Sequence, residues 1–350
     1  MITKILSSLQ TRMSFSSEKK LPVNLKEYQE IRPYFGTMVE IRLYHDPAID
    51  ISAVTQSCWA KIEQWHQHMN VFSSSGDLAK LNQDGFHGVK VSSDVYRVVK
   101  NALRLAKMTR GTFDITCLPL IKLWKNASQQ GCIPDSNAVK GAQAMVGYQN
   151  IRLEGPDRVF FKKQGMGIDL GGIVSGFACD ELAKMLDANE IKHFLLDMGG
   201  ELFCRGLDHG QKPWMIGIQD PLDKTKVLAA ALIKDQGIST SGSYEKFSMI
   251  NGVKYSHIID PMTGYPETGA ISATVIARTA EEADVLSTVM CILGGRQGLH
   301  AARLLKNVEV FIVEQKKDAL VVYKSASLKR PDFAAAFNAQ RFQQFFPVES

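Results

Sequence analysis

One stretch of the sequence combines several residues that are suited to chemistry. Three hydroxyl side chains, those of Ser239, Thr240 and Ser241, come directly before Gly242. Such a run at the end of a strand offers side-chain and backbone donors to an oxyanion. His257 follows, and its imidazole titrates near neutral pH. The stretch predicts an anion-binding wall that also moves a proton; spacing alone leaves open a β-hairpin with a structural histidine.

A second group of residues is suited to holding a cation. Asp284 and Thr288 stand four positions apart in a segment predicted to be helical, so they share one face of that helix. A carboxylate and a hydroxyl on one face suit a hard cation such as Mg²⁺, which takes oxygen ligands. The rest of the segment is apolar, so the pair needs a partner. The alternative is a solvated or simply hydrogen-bonded pair.

A glycine-rich segment at 167–176 connects a predicted strand to a predicted helix. Glycines let the backbone approach a ligand closely, and the start of a helix offers free N–H groups to a phosphate. The segment matches neither the Walker loop nor the Gly-x-Gly-x-x-Gly pattern. Asp169, just before the glycines, either caps the helix or accepts a hydrogen bond from a ligand. A tight structural turn is the alternative.

The elements that must position these residues follow from periodicity and turn signals. Asn251-Gly252 stands between two β-like runs and is a strong hairpin signal. Predicted helices are Ile51–Met69, a short helix within 76–82, Ser92–Gly111, Leu118–Trp124, Pro134–Val146, a helix that ends near Ala188, Ala280–Leu293 and Gln297–Leu305. Predicted strands are Tyr34–Tyr44, 151–153, 159–161, His193–Asp197, Glu201–Arg205, Trp214–Gln219, Val227–Ile233, Ser272–Arg278, Val308–Val313 and Leu320–Tyr323. Runs of strands with helices between them predict an α+β fold.

Composition limits the possible partners and compartments. The chain has 350 residues and a net charge of +5, with scattered basic residues, which favours an anionic ligand and argues against nucleic acid. No apolar run reaches the roughly 18 to 20 residues of a membrane-spanning helix. The six cysteines form no Cys-x-x-Cys pair, which indicates reduced thiols. We expect a cytoplasmic protein; the serine-rich N-terminus leaves an organellar transit peptide as the alternative.

These pieces, in this order, resemble one family: the FAD:protein FMN transferases, or ApbE-like proteins. The resemblance runs from about Tyr34 to Tyr323. It is carried by Phe35–Thr37, Ser75–Asn82, Gly111–Asp114, Ile168–Gly172 with Gly176 and Asp180, Asp197–Gly200, Gly217–Pro221, Thr240–Tyr244, His257–Pro261 with Thr263 and Gly264, and Ala283–Asp284 with Thr288. Each motif is weak alone, but nine in order are specific.

The resemblance implies a fold and a domain division. The fold is α+β, a T-fold-like, two-lobed body with mostly antiparallel sheets, flanking helices and FAD in a cleft between the lobes. The expected division is a flexible tail at 1–30, an ApbE-like domain at 31–325 and a helical tail at 326–350 that packs on the body.

The resemblance also implies a reaction. In the presence of Mg²⁺, a Thr or Ser hydroxyl of a target flavoprotein attacks the FMN-side phosphorus of FAD, which links FMN to the target as a phosphoester and releases AMP. The alternatives are an FAD pyrophosphatase, which forms FMN and AMP with water, and a non-catalytic FAD-binding protein on the same scaffold.

Roles for single residues follow from the resemblance alone. His257 is the expected base or proton shuttle. The expected Mg²⁺ ligands are the Gly172 carbonyl, Asp284 and Thr288. The expected contacts to FAD are Phe35, Thr112, Phe113, Asp114, Asp169, Ser175, Thr240, Ser241, Gly242, His257 and Ile258.

The sequence departs from the family pattern in two places. The segment Ser74–Gly76 is shorter than its counterpart in the family, which removes one contact expected near the adenine. Ser175 stands where the family often has Lys or Glu. Both departures favour the non-catalytic alternative, whereas neither touches the expected metal ligands or His257.

Overall fold

The computed structural model describes residues 24–71, 73–209, 212–243, 247–317, 319–326, 328, 333–334 and 344–345. Within these residues the strands are β1 (Lys26–Tyr34), β2 (Thr37–His45), β3 (Val89–Lys90), β4 (Ile151–Glu154), β5 (Arg158–Phe161), β6 (His193–Asp197), β7 (Glu201–Arg205), β8 (Trp214–Asp220), β9 (Asp223–Ile233), β10 (Gln236–Gly242), β11 (Phe247–Ile250), β12 (Val253–Ser256), β13 (Ser272–Ala277), β14 (Glu309–Lys316), β15 (Ala319–Lys324), β16 (Phe333–Ala334) and β17 (Gln344–Phe345).

The α-helices of the described residues are α1 (Ile51–Met69), α2 (Asp77–Asp84), α3 (Ser93–Met108), α4 (Leu118–Gln130), α5 (Ser136–Gln143), α6 (Val174–Ala188) and α7 (Ala280–Arg303). Two short 3-10 helices span Ile115–Cys117 and Tyr148–Asn150. Helix α1 shows how local sequence sets these bounds. The Asp50 carboxylate accepts a hydrogen bond from the Ala53 N–H and caps the first turn, while Val54, Cys58 and Ile62 form a buried stripe.

A large mixed sheet organises the described residues. Its strand order is β1-β2-β6-β7-β10-β13-β14-β15-β17, with antiparallel neighbours except for the parallel pair β15 and β17. Smaller sheets have the orders β16-β9-β8 and β3-β5-β4, and β11 pairs with β12. The prediction of mostly antiparallel sheets with flanking helices is confirmed.

Side chains alternate across the large sheet and supply two cores. From β6, Phe194 and Leu196 pack with α1, α3 and α6, whereas Leu195 packs with Trp214 and Ile218 of β8. The helices therefore cover one face at this end of the sheet, and the sheet that contains β8 and β9 covers the other. Farther along, α7 covers β13 through a cluster that includes Leu286 and Ala273.

Two expectations about the elements need correction, and a third is confirmed. Strand β1 begins at Lys26, inside the range assigned to the tail, and the predicted strand Tyr34–Tyr44 is in fact the end of β1, a turn and most of β2. The two helices predicted at 280–293 and 297–305 are present as two helical parts of α7, which are separated at Gly294, where the φ of 71° and ψ of −176° are not helical.

The predicted C-terminal helix lies largely outside the described residues, and its described parts include strands β16 and β17. In the part of the chain that the structure describes, none of the helices has both the length and the apolar character needed to cross a membrane.

Candidate active site

The carboxylate of Asp284 is buried inside the protein with little to balance its charge. Its side chain lies on α7, the residue is 3% exposed, and Oδ2 accepts a hydrogen bond of 3.1 Å from the Gly176 N–H. Burial raises the pKa of Asp284 well above its ordinary range, and the nearby Glu281 and Asp180 raise it further. A carboxylate in this position favours a cation as its partner.

Close packing of α6 on α7 brings the glycine-rich turn to this carboxylate. A Cβ at Gly176 would lie 2.4 Å from the carbonyl oxygen of Ala280, so only glycine allows this approach. At Gly172, a Cβ would lie 3.8 Å from Oγ1 of Thr288. The turn, Asp284 and Thr288 therefore lie close together in the structure.

Two of the three hydroxyls at the end of β10 face α7. Ser241 Oγ lies 2.7 Å from Ser287 Oγ and 3.3 Å from Thr288 Oγ1, and Ser239 Oγ lies 3.2 Å from Ser287 Oγ. Because side chains alternate along a strand, Thr240 points to the opposite face, where its hydroxyl pairs with Thr274 at 2.8 Å. The side chain of Thr240 is therefore not brought to the α7 cluster, whereas that of Ser241 is.

The donor set in this region fits a hard divalent cation. It consists of a carboxylate, a hydroxyl and the backbone at Gly172, and oxygen donors are those that Mg²⁺ and Ca²⁺ prefer. The described residues contain no group of three or more His, Cys, Asp or Glu placed to hold a metal ion. A cation held here would therefore keep open positions for water or for phosphate oxygens.

Asp114 organises the loop next to the glycine-rich turn. Its carboxylate accepts hydrogen bonds from the Thr116 N–H at 2.8 Å, the Thr116 hydroxyl at 2.6 Å and the Tyr148 N–H at 2.8 Å. Burial raises the pKa of Asp114, while these hydrogen bonds act in the opposite direction. The neighbouring Phe113 lies against Gly172, where a Cβ would be 3.4 Å from its ring. Asp114 thus ties the loop to Tyr148, while Thr109 accepts hydrogen bonds from the N–H groups of Phe113 and the partly buried Thr112.

A cleft connects this loop with the segment that follows His257. Its volume is about 270 Å³, and it is lined by Arg110, Gly111, Asp114, Gln143, Val146, Gly147, Tyr148, Gln149, Pro261 and Met262. Gln143 Nε2 donates hydrogen bonds to the carbonyls of Pro261 and Met262, which ties the two walls together. The loop that contains Asp114 and the segment that follows His257 therefore meet at one cleft.

His257 lies just after β12 with an exposed side chain, while the residues on either side of it are buried. The Ile258 N–H donates to Ser256 Oγ at 3.1 Å, and the Ile258 carbonyl accepts from the Glu267 N–H at 2.9 Å. Ile258 itself packs in the cluster that contains Leu286 of α7. The backbone at His257 is therefore fixed relative to α7, and the imidazole remains accessible from outside.

The remaining predicted residues occupy separate positions around this centre. Asp169 Oδ1 accepts from the Gly171 N–H at 2.6 Å, so it shapes the turn instead of capping α6. Ser175 is buried in the first turn of α6. Phe35 has a φ of 52° at the turn between β1 and β2, and its contacts are with His66 of α1.

Sequence interpretation assigned no individual role to three residues that hold the site together, although Asn82 and Asp180 belong to motifs that carry the resemblance. Ser287 is fully buried and bonds to both Ser239 and Ser241; a serine next to Thr288 on an apolar helix was the available signal. Asn82 holds Ile168 through two hydrogen bonds of 2.7 and 2.9 Å. Asp180 caps α7 by accepting from the N–H groups of Ala280 and Glu281.

A larger cleft of about 470 Å³ lies at the N-terminal end of α7 and contains none of the predicted site residues. Its walls carry charges of both signs, several of which are paired, as in the contact of 3.7 Å between Arg104 and Glu281. This cleft is therefore distinct from the candidate site.

Comparisons with known proteins show which family the chain is similar to. The ApbE family model matches residues 35–312. A Treponema pallidum protein named FAD:protein FMN transferase is 30% identical over 312 residues, which are 84% of this chain and 86% of that protein. An Escherichia coli K12 protein of the same name is 32% identical over 246 residues, which are 68% of this chain and 70% of that protein.

Solved structures give the same result. The flavin transferase ApbE from Vibrio cholerae superimposes with a TM-score of 0.76 and 27% identity, covering 87% of this chain and 98% of the other. The ApbE protein from Thermotoga maritima has a TM-score of 0.78 and 26% identity, covering 88% and 99%. Fold and site together define an α+β protein of the flavin-transferase type. The chain belongs to the ApbE family.

Proposed function

We propose that this chain is an Mg²⁺-dependent FAD:protein FMN transferase, which moves FMN from FAD to a Thr or Ser hydroxyl of a target flavoprotein. The observation that carries the proposal is the convergence of Asp284, Thr288 and Gly172 beside the hydroxyls at the end of β10. Oxygen ligands for a cation, next to backbone N–H groups, suit a diphosphate with its divalent cation.

The proposed reaction balances as a single displacement. The acceptor oxygen forms a bond to the phosphorus on the FMN side of the diphosphate. The bond from that phosphorus to the bridging oxygen breaks, and AMP leaves with the bridging oxygen. The acceptor's proton passes to His257, whose exposed ring stands next to a buried, fixed backbone.

The metal ligands would be the Asp284 carboxylate, the Thr288 hydroxyl and the Gly172 carbonyl. When bound, Mg²⁺ neutralises charge on the diphosphate as the transition state forms. Backbone N–H groups near Gly242, at the end of β10, are the proposed donors to the non-bridging oxygens. The cleft next to Asp114 and Tyr148 is the proposed binding site for part of FAD.

Thiol chemistry supports a reducing, cytoplasmic setting for this reaction. All six cysteines are free, and five of them are buried. Burial raises the pKa of the Cys58 thiol to about 11, which keeps it protonated and unreactive at neutral pH.

Chromatography of the small-molecule products tests the proposal. The purified protein is incubated with FAD, Mg²⁺ and candidate flavoproteins, and AMP and FMN are separated and quantified. Release of AMP without free FMN, only when an acceptor is present, supports the transferase. Equal amounts of AMP and free FMN would identify a pyrophosphatase. Bound FAD with neither product, across all acceptors, would identify an FAD-binding protein.

A further inference from the structure

A connected set of hydroxyls runs from the interior of the protein to Thr288. Ser287 is fully buried, and its Oγ lies within hydrogen-bond distance of three oxygens: the Asp284 carbonyl at 2.8 Å, Ser241 Oγ at 2.7 Å and Ser239 Oγ at 3.2 Å. Ser241 Oγ in turn lies 3.3 Å from Thr288 Oγ1. Ser287 therefore lies behind Thr288, with Ser241 between their hydroxyls.

The direction of each hydrogen bond follows from counting protons. A backbone carbonyl has no proton, so Ser287 must donate its only hydroxyl proton to Asp284 O. Ser287 Oγ can then only accept, which makes Ser241 the donor in the bond of 2.7 Å. With its own proton used, Ser241 accepts from its remaining neighbour, Thr288.

This order of donation determines whether the Thr288 hydroxyl directs its proton or its lone pairs away from Ser241. Because its proton points to Ser241, its lone pairs remain for the region next to Gly172. A hydroxyl binds a cation through a lone pair, whereas a proton turned toward the cation repels it. We propose that Ser287 is a positioning residue which, acting through Ser241, holds the Thr288 hydroxyl in the orientation that accepts a divalent cation.

Burial makes this arrangement persistent. Ser287 and Ser239 are both 0% exposed, so no water can reach Ser287 to reverse the order of donation. The Ser241 backbone is held as well, because its carbonyl lies 3.2 Å from the Cys291 thiol. The inference rests on the proposed function only in that Thr288 is taken as a metal ligand.

Direct measurement of cation binding tests the inference without turnover. Mn²⁺ is titrated into the full chain, and free Mn²⁺ is followed by electron paramagnetic resonance, with no acceptor protein present. We expect Ser287→Ala to weaken Mn²⁺ binding about 10- to 100-fold, the usual effect of removing a group that orients a metal ligand. An unchanged Mn²⁺ affinity in Ser287→Ala would overturn the inference.

Ser239→Ala is the matched control. Ser239 is equally buried and also forms a hydrogen bond with Ser287. It acts only as the donor in that bond. Its removal therefore does not change which hydroxyl donates in the bonds among Ser287, Ser241 and Thr288. We expect its Mn²⁺ affinity to stay at the wild-type value. Equal losses in Ser239→Ala and Ser287→Ala would indicate a general packing effect and would overturn the inference.

A double-mutant comparison keeps the test decisive if Ser287→Ala lowers stability. Since Ser287 acts through Ser241, we expect Ser241→Ala with Ser287→Ala to bind Mn²⁺ no more weakly than Ser241→Ala alone. Additive losses would contradict this mechanism.

Thr288→Val separates the inference from the proposed function. If Thr288→Val leaves Mn²⁺ binding unchanged, Thr288 is not a ligand, so the metal assignment fails and this inference fails with it. If Thr288→Val weakens binding but Ser287→Ala does not, only the positioning role of Ser287 is wrong.

Discussion

The Gly176 N–H donates a hydrogen bond of 3.1 Å to the Asp284 carboxylate, joining residues that lie 108 positions apart in the chain. This bond connects the first turn of α6 to the face of α7 that carries Thr288. It explains why a glycine-rich turn and a helical carboxylate, which look independent in the sequence, belong to one site. Much of the geometry around Asp284 depends on how closely these two helices pack.

Gly176→Ala should disturb both stability and cation binding. A Cβ at this position would lie 2.4 Å from Ala280 O, so the helices must separate. We expect a loss of about 1 to 3 kcal/mol in the free energy of unfolding, as for other overpacked sites, together with weaker Mn²⁺ binding. Urea denaturation and Mn²⁺ titration measure the two effects.

Gly141→Ala is the control for that variant. Gly141 lies in α5, and a Cβ there would have no neighbour within 4 Å. We expect a gain of about 0.5 to 1 kcal/mol from better helix propensity, with unchanged Mn²⁺ binding. Equal stability of Gly176→Ala and the wild type would show that the α6–α7 contact is not the constraint described above.

Asp284→Asn should separate function from stability. The amide has nearly the same shape and still accepts from Gly176, but it cannot supply the negative charge that a cation needs. We expect loss of both Mg²⁺ dependence and FMN transfer. Without metal, we expect the variant to be at least as stable as the wild type, because a buried and poorly paired charge is removed. Retained Mg²⁺-dependent transfer would disprove the metal assignment.

His257→Ala should affect the chemistry and leave binding of FAD largely intact. We expect transfer to fall by about two to four orders of magnitude, the scale of lost acid–base catalysis. Single-turnover kinetics give the rate, and fluorescence titration gives the FAD affinity. His300→Ala, an exposed histidine near the end of α7, is the control that should leave both unchanged. A normal rate in His257→Ala would exclude it as the base.

The raised pKa of Asp180 predicts that the free energy of unfolding depends on pH. Burial raises its pKa from 3.8 to about 7. Between those values the folded state holds a proton that the unfolded state has lost, so this contribution to stability is complete below about pH 4 and declines as pH rises to about 7. We expect Asp180→Asn, which cannot titrate, to show a flatter profile of unfolding free energy against pH. If the unfolding free energies of Asp180→Asn and of the wild type change with pH to the same extent, the raised pKa of Asp180 is contradicted.

Local sequence signals predicted many of the helices and strands. Asn251 and Gly252, for example, take the positive φ values of 50° and 76° that a two-residue hairpin turn requires. Strand β1 escaped prediction because it lies at the edge of the sheet and carries mostly exposed or half-buried side chains, so it lacks a clear apolar alternation. The predicted division of 280–305 into two helices is also confirmed, because the backbone at Gly294 is not helical.

Contacts between distant parts of the chain account for what the sequence did not reveal. Asp114 was predicted to contact the cofactor, yet its carboxylate already accepts from Thr116 and from Tyr148, which lies 34 positions away. Likewise, the orientation of Ser241 toward Ser287 depends on how β10 packs on α7. No local pattern encodes either relationship.

The most direct test of the proposed transfer is the intact mass of an acceptor flavoprotein. The acceptor is incubated with this protein, FAD and Mg²⁺, and its mass is measured with and without EDTA. We predict a gain equal to one FMN minus water, abolished by EDTA and by Asp284→Asn. Stoichiometric release of AMP and free FMN with no gain in acceptor mass would contradict the transferase and indicate hydrolysis of FAD.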